Sequence, residues 1–137
     1  MLNWDSQLEK LVLEVLEEIS VPVGRRSERT QKPFITSYQL ASALAERNPQ
    51  IVLATGLPFG GKGVGEHRSF VQELAGKLST RIEQMGNKSP IEIEYLAMDY
   101  ITSMHFSVKP IVNKGNAGYE SSVVGKGEEI ALFRLRS

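Results

Sequence analysis

Ile91-Glu92-Ile93-Glu94-Tyr95 is the stretch on which the fold turns. Apolar and acidic residues alternate there, and a period of two sends one face of an extended chain toward a core and the other toward water. The same texture returns further on. Residues 101–112 alternate through Met104, Phe106 and Val108, and Val123-Val124 and residues 130–135 supply further extended pieces. Lys114-Gly115-Asn116-Ala117-Gly118 reads as a loop tip, and Gly125-Lys126-Gly127 separates the last two strands. Before residue 90 the apolar spacing is three and four, the period of a helix. Helices first and an antiparallel sheet last define an α+β fold, not an alternating parallel sheet. Nothing in the 137 residues divides the chain, which reads as a single domain over 1–137.

Three helices are expected. In residues 5–20, Leu8, Leu11, Val12, Val15, Leu16 and Ile19 form an apolar stripe. Asp5 or Ser6 stands in the capping position, and Val21-Pro22 sets the stop. This stripe reads as core or as a homodimer seam. Pro33-Phe34-Ile35 is a short extended piece. Thr36-Ser37-Tyr38-Gln39 then carries the spacing of a capping box and opens a helix over 37–47 that ends near Asn48-Pro49. The third helix is expected over 66–85, with Phe70, Val71, Leu74, Leu78 and Ile82 on its inner side and Gly86-Asn87 as its stop. Ile51-Val52-Leu53-Ala54 fits a buried strand or a helical turn equally well, because so short a run has no period.

Composition narrows the function classes. Cysteine is absent, which removes disulfides, thiolate zinc sites and cysteine nucleophiles together. No apolar run has membrane-spanning length, and the N-terminus lacks a basic segment followed by an apolar one. A cytoplasmic bacterial protein is the expectation. The net charge is zero, but it conceals a pattern: −4 over residues 1–20, +5 over 21–88 and −1 over 89–137. A basic middle between acidic ends points toward an anionic partner.

The centre of that basic region is Gly60-Gly61-Lys62-Gly63-Val64-Gly65-Glu66-His67-Arg68. Its glycines allow close approach, and a basic loop feeding the start of a helix is an anion site when the first helical N–H groups are unpaired. Gly56-Leu57-Pro58-Phe59-Gly60-Gly61-Lys62 also matches the G-x-x-x-x-G-K part of the P-loop pattern. Gly63 stands where a serine or threonine would hold magnesium, so a nucleotide- or phosphate-binding use of the 56–65 loop is an alternative, and no cofactor is expected.

Three helices followed by a β-hairpin with a glycine- and lysine-rich tip is the plan of the winged-helix class. Residues 33–36 would be the short strand after helix one, and the 66–85 helix would enter the major groove. Gln72 can pair with adenine and Arg68 with guanine. Ser69, and Ser79 or Thr80, stand on the same helix. Lys62 would hold phosphate, and Lys109, Lys114 and Lys126 would lie on or near the wings. The favoured expectation is thus a small non-catalytic DNA-binding or regulatory protein, with double-stranded DNA as partner and Lys62, Arg68, Ser69, Gln72, Lys114 and Lys126 as contacts. The class departs here in one respect: residues 49–64 separate the second and third helices, where a tight helix-turn-helix has about 3–4 residues. Residues 33–75, through Pro33-Phe34-Ile35-Thr36-Ser37-Tyr38-Gln39-Leu40 and the glycine run, resemble small bacterial proteins without an assigned activity, so the resemblance implies no residue roles.

Catalysis finds little support. His67 and His105 have no metal-ligand spacing, no serine sits in a nucleophile elbow, and Glu92 and Glu94 share a strand face as solvated residues do. Asp99, His105 and Glu120 form a catalytic set only if the fold converges them. The remaining alternative is a protein–protein module, a homodimer through the first helix with Trp4 as anchor.

Overall fold

Asp5 opens the first helix, α1 (Ser6–Glu18): its side chain accepts the Leu8 N–H at 2.8 Å. The helix buries Leu8, Val12, Val15 and Leu16, the stripe that the spacing predicts. It ends at Glu18, two residues before the expected boundary, where Ile19 turns extended. No basic residue lies in its last turn. Lys32 supplies that charge from elsewhere, its Nζ donating to the carbonyls of Glu17 (2.7 Å) and Ile19 (3.0 Å). A cation there satisfies orphan carbonyls and opposes the negative end of the helix dipole. The computed structural model describes residues 2–19, 32–60, 69–108, 119–124 and 129–136.

The strand β1 (Ile35–Thr36) leads directly into α2 (Ser37–Arg47). The capping box is complete: the Gln39 N–H donates to Thr36 Oγ1 at 3.1 Å, and the Thr36 N–H donates to Gln39 Oε1 at 2.7 Å. The ambiguous run after it is helical. α3 (Pro49–Leu53) begins with proline at a position where no N–H is needed and gives way at Ala54 to a turn that closes at Gly56, whose φ of +67° suits a residue without a Cβ. A fourth helix therefore joins the three expected ones. The last, α4 (Phe70–Met85), buries Phe70, Val71, Leu74, Leu78 and Ile82 and stops at Gly86 at φ +57°. Ser69 is extended, so the helix starts at 70 and not at 66.

Five strands complete the described chain. β2 (Ile91–Leu96) and β5 (Ile130–Leu135) run antiparallel, with Ile91 opposite Leu135 and Leu96 opposite Ile130. β1 pairs with the other edge of β5, Ile35 opposite Phe133, so the strand order is β1-β5-β2. β3 (Ser103–Val108) and β4 (Tyr119–Val124) pair separately, Ser103 opposite Val124. The two pairings are nested: β2 leads out into β3, and β4 returns into β5. The chain from β2 to β5 is thus one long hairpin interrupted near its middle, a β-arm.

The alternation of β2 holds over its first half, with Ile91 buried and Ile93 packed on the core, and fails at Tyr95, which is exposed where the strand passes beyond the helices. Ile91 and Phe133 sit in the core with Phe70, Leu74, Leu40 and Val12, while Glu92 and Arg134 pair on the opposite face at 2.6 Å. The Arg134 guanidinium also covers the Phe34 ring at 4.2 Å, tying the lead-in of β1 to the sheet. Met98 and Ile130 are buried outside the main cluster, at the junction where the arm breaks. Further out, Tyr38 of α2 stacks on Phe106 of β3 at 5.1 Å and 14°, so the outer arm is anchored against α2.

Candidate functional site

The start of α4 follows the basic glycine-rich run, and its donors are already used. The Phe70 N–H donates to Pro58 O at 2.8 Å, the Val71 N–H to Phe59 O at 3.0 Å, and the Gln72 N–H to Ser69 Oγ at 3.1 Å. The orphan donors of a helix N-terminus are here satisfied by the preceding chain and by the cap. The expectation of unpaired N–H groups holding phosphate is therefore corrected. Gly60 explains how the chain comes so close. At φ +135°, a Cβ placed on it would lie 3.0 Å from Ser69 Oγ and 3.2 Å from Val71 Cβ. The close approach that glycine permits is made to the protein's own helix. Phe59 and Phe70 pack beside it, ring centroids 6.1 Å apart.

Ser69 is buried at 2 % exposure and spends its hydroxyl as the cap of α4, which takes it out of any surface contact. Gln72 is exposed on α4, on the outer side shared by Gly76 and Thr80, with Ser79 half-buried. Lys62, Arg68, Lys114 and Lys126 lie outside the described residues, as do His67 and Lys109. The structure thus brings Ser69 and Gln72 together at one helix start, one inward and one outward.

The outer side of α4 borders an open groove of about 790 Å³, whose other wall is the start of α1. Glu9 crosses it, accepting from Arg81 Nε at 2.9 Å and from the Trp4 indole N–H at 3.4 Å. Asp5 and Glu73 line it with Lys77, and Gly76 opens its floor, since a Cβ there would meet nothing within 4 Å. The charge is mixed. Elsewhere the described bases are largely committed: Arg47 to Glu18, and Arg134 and Arg136 to Glu92. Among the described residues Lys10, Lys77 and Lys88 take part in no ion pair.

Other sequence candidates resolve similarly. Ile51-Val52-Leu53 is helical, so no strand leads into the glycine loop as a P-loop requires. Ser103 Oγ lies 3.3 Å from His105 Nε2 on the exposed side of β3. Glu120 stands two register pairs from His105, opposite Ser107, while Asp99 lies on the turn before β3. Among the described residues no cluster of His, Asp and Glu can hold a metal, and no helix is long and apolar enough to cross a membrane. The apolar stripe of α1 is buried in the core, and its remaining face carries Lys10, Glu14, Glu17 and Glu18.

The Ser69 cap has a sequence signal, since Ser69-Phe70-Val71-Gln72 repeats the spacing of Thr36 and Gln39. The break in the β-arm has none. There Tyr100 adopts φ +65° with a side chain at 107 % exposure. No family model matches the chain, and no curated protein or solved structure matches it.

Proposed function

We propose that this chain is a winged-helix-type domain that binds double-stranded DNA and acts as a small regulatory protein without catalysis of its own. The observation that carries the reading is the position of the last strand. β5 lies between β1 and β2, so the order helix, strand, helix, helices, strand, strand closes into one sheet behind α4. That is the arrangement expected of the class, with the interrupted β-arm as its wing. Gln72 and Thr80 on the outer side of α4 would face the groove of the duplex. Lys62, Arg68, Lys114 and Lys126 would supply phosphate contacts from segments on either side of α4 and the arm. The long connection between α2 and α4, which contains α3, means that α4 is set by the sheet and core and not by a tight turn.

A labelled mixed-sequence duplex, titrated at 50 and 200 mM salt and followed by fluorescence anisotropy, tests this. Four phosphate contacts imply a loss of roughly two orders of magnitude in affinity over that interval. Absence of binding at the lower salt overturns the reading.

The groove between Trp4 and α4 favours a second reading, a protein-interaction module. Its mixed charge and half-buried tryptophan suit a polypeptide better than a polyanion. Size-exclusion chromatography with light scattering tests its homodimeric form.

A further inference from the structure

Among the described residues the three-stranded sheet ends on one side in β1, two residues long, and on the other in β2, six residues long. The register of β2 decides which way its backbone groups point. The Arg136 N–H donates to Pro90 O at 2.8 Å, and the pairing runs on from Ile91 opposite Leu135. Hydrogen-bonded pairs alternate along an antiparallel ladder. Glu92, Glu94 and Leu96 therefore bond to β5, while Ile91, Ile93 and Tyr95 aim their N–H and C=O outward. At Ile91 those groups are closed by Ser89: the Ile91 N–H donates to Ser89 Oγ at 3.1 Å, and that hydroxyl donates to Ile91 O at 2.9 Å. At Ile93 and Tyr95 no group closes them among the described residues. A row of such groups is a template for another extended chain.

We propose that the edge of β2 from Ile93 to Tyr95 binds an extended segment of another protein in which apolar and basic residues alternate. This goes beyond the nucleic-acid reading and does not depend on it. Paired donors and acceptors on alternate residues of an extended chain are matched by the backbone of a further strand. The side chains around them set its composition, because a guest strand alternates between the two faces as its host does. On one face the guest lies beside Ile93 and Tyr95. Tyr95 shares the core-side face of β2 with Ile91 yet is 56 % exposed, so an apolar neighbour would cover it. On the other face the guest lies beside Glu94. Glu92 is held by Arg134 and Arg136, whereas Glu94 is exposed and takes part in no ion pair among the described residues. A basic residue opposite Glu94 is attracted, and an acidic one is repelled. The same charge argues against a second copy of this chain as the occupant. The register that uses every open group pairs Ile93 with the second copy's Tyr95, and it sets Glu94 directly against Glu94.

The test uses the full chain and a short labelled peptide of alternating valine and lysine, followed by anisotropy without nucleic acid. The peptide is expected to bind, and the same peptide methylated on its backbone nitrogens is expected not to, since it has lost the donors that reach β2. Amide exchange at Ile93 and Tyr95 should slow when the peptide is added, while that at Glu94, already bonded to β5, should not change. Glu94→Lys, at an exposed position, should weaken binding about fivefold, the effect of turning one cross-strand attraction into a repulsion. No binding at about 1 mM peptide overturns the inference. So does equal binding of the methylated peptide, which would make the contact one of charge alone. Protection that leaves Ile93 and Tyr95 untouched places the peptide elsewhere and overturns it too, as does undiminished binding by the Glu94→Lys variant.

Discussion

The start of α4 and the break in the β-arm are opposites. At the first, a glycine-rich approach, a serine cap and two carbonyls satisfy every early donor of the helix, and a residue without a Cβ lets the chain close on itself. At the second, a large side chain stands in a backbone conformation that glycine would fill more easily, with its ring fully exposed. Glycine is associated with close approach to a ligand, yet at Gly60 the approach is internal. At Tyr100 the backbone angle belongs to a turn, closed by the Ile101 N–H donating to Met98 O, and the ring takes no part in holding it.

Substitutions can break that contrast, and the largest effect should come from the closed region. Phe70→Ala removes a fully buried ring that packs against Phe59, and should cost about 3–5 kcal/mol in urea unfolding. Gly60→Ala should cost about 1–3 kcal/mol, from a strained φ and a contact with Ser69 and Val71 that neither partner can yield easily. A Gly60→Ala variant as stable as the parent would mean that the segment is not docked as described. Ser69→Ala should cost about 1 kcal/mol by loss of the cap, with faster amide exchange in the first turn of α4. Tyr100→Gly should give the smallest change and in the opposite direction, within about 1 kcal/mol of the parent on the stabilising side, because strain is relieved and no contact is lost. If Tyr100→Gly destabilises by as much as Ser69→Ala, the two regions are not different in kind.

What the sequence made legible was local. Thr36 and Gln39 meet three residues apart, so the capping box and the boundaries of α2 follow from spacing alone. The alternation at 91–96 gives β2 two faces because extended chain has only two, and it places Ile91 in the core and Ile93 against it, while Tyr95, on the same face further along, is exposed. What escaped was the product of distant pairs. Pro58 and Phe59 reach the start of α4 across residues that intervene in sequence, and no pattern at 66–70 announces that its donors are taken. The run at 51–53 is too short to carry a period, so its helix depended on the proline before it and the glycine after it. The candidate contacts divide on the same ground. Ser69 faced inward because a cap must sit beneath its helix, whereas Gln72 faced outward because Phe70, Val71 and Leu74 had taken the inner positions.

Lys32 has a further consequence for how this protein can be altered. Its ammonium group ties the end of α1 to the chain that enters β1, so Ile19 and Lys32 are held at one point of the fold. The entropic cost of a longer closed segment grows only with the logarithm of its length, about 0.6 kcal/mol for each doubling. The junction of α1 with β1 therefore depends more on this clasp than on the length of chain it closes, and Lys32 is the residue an engineer must leave in place.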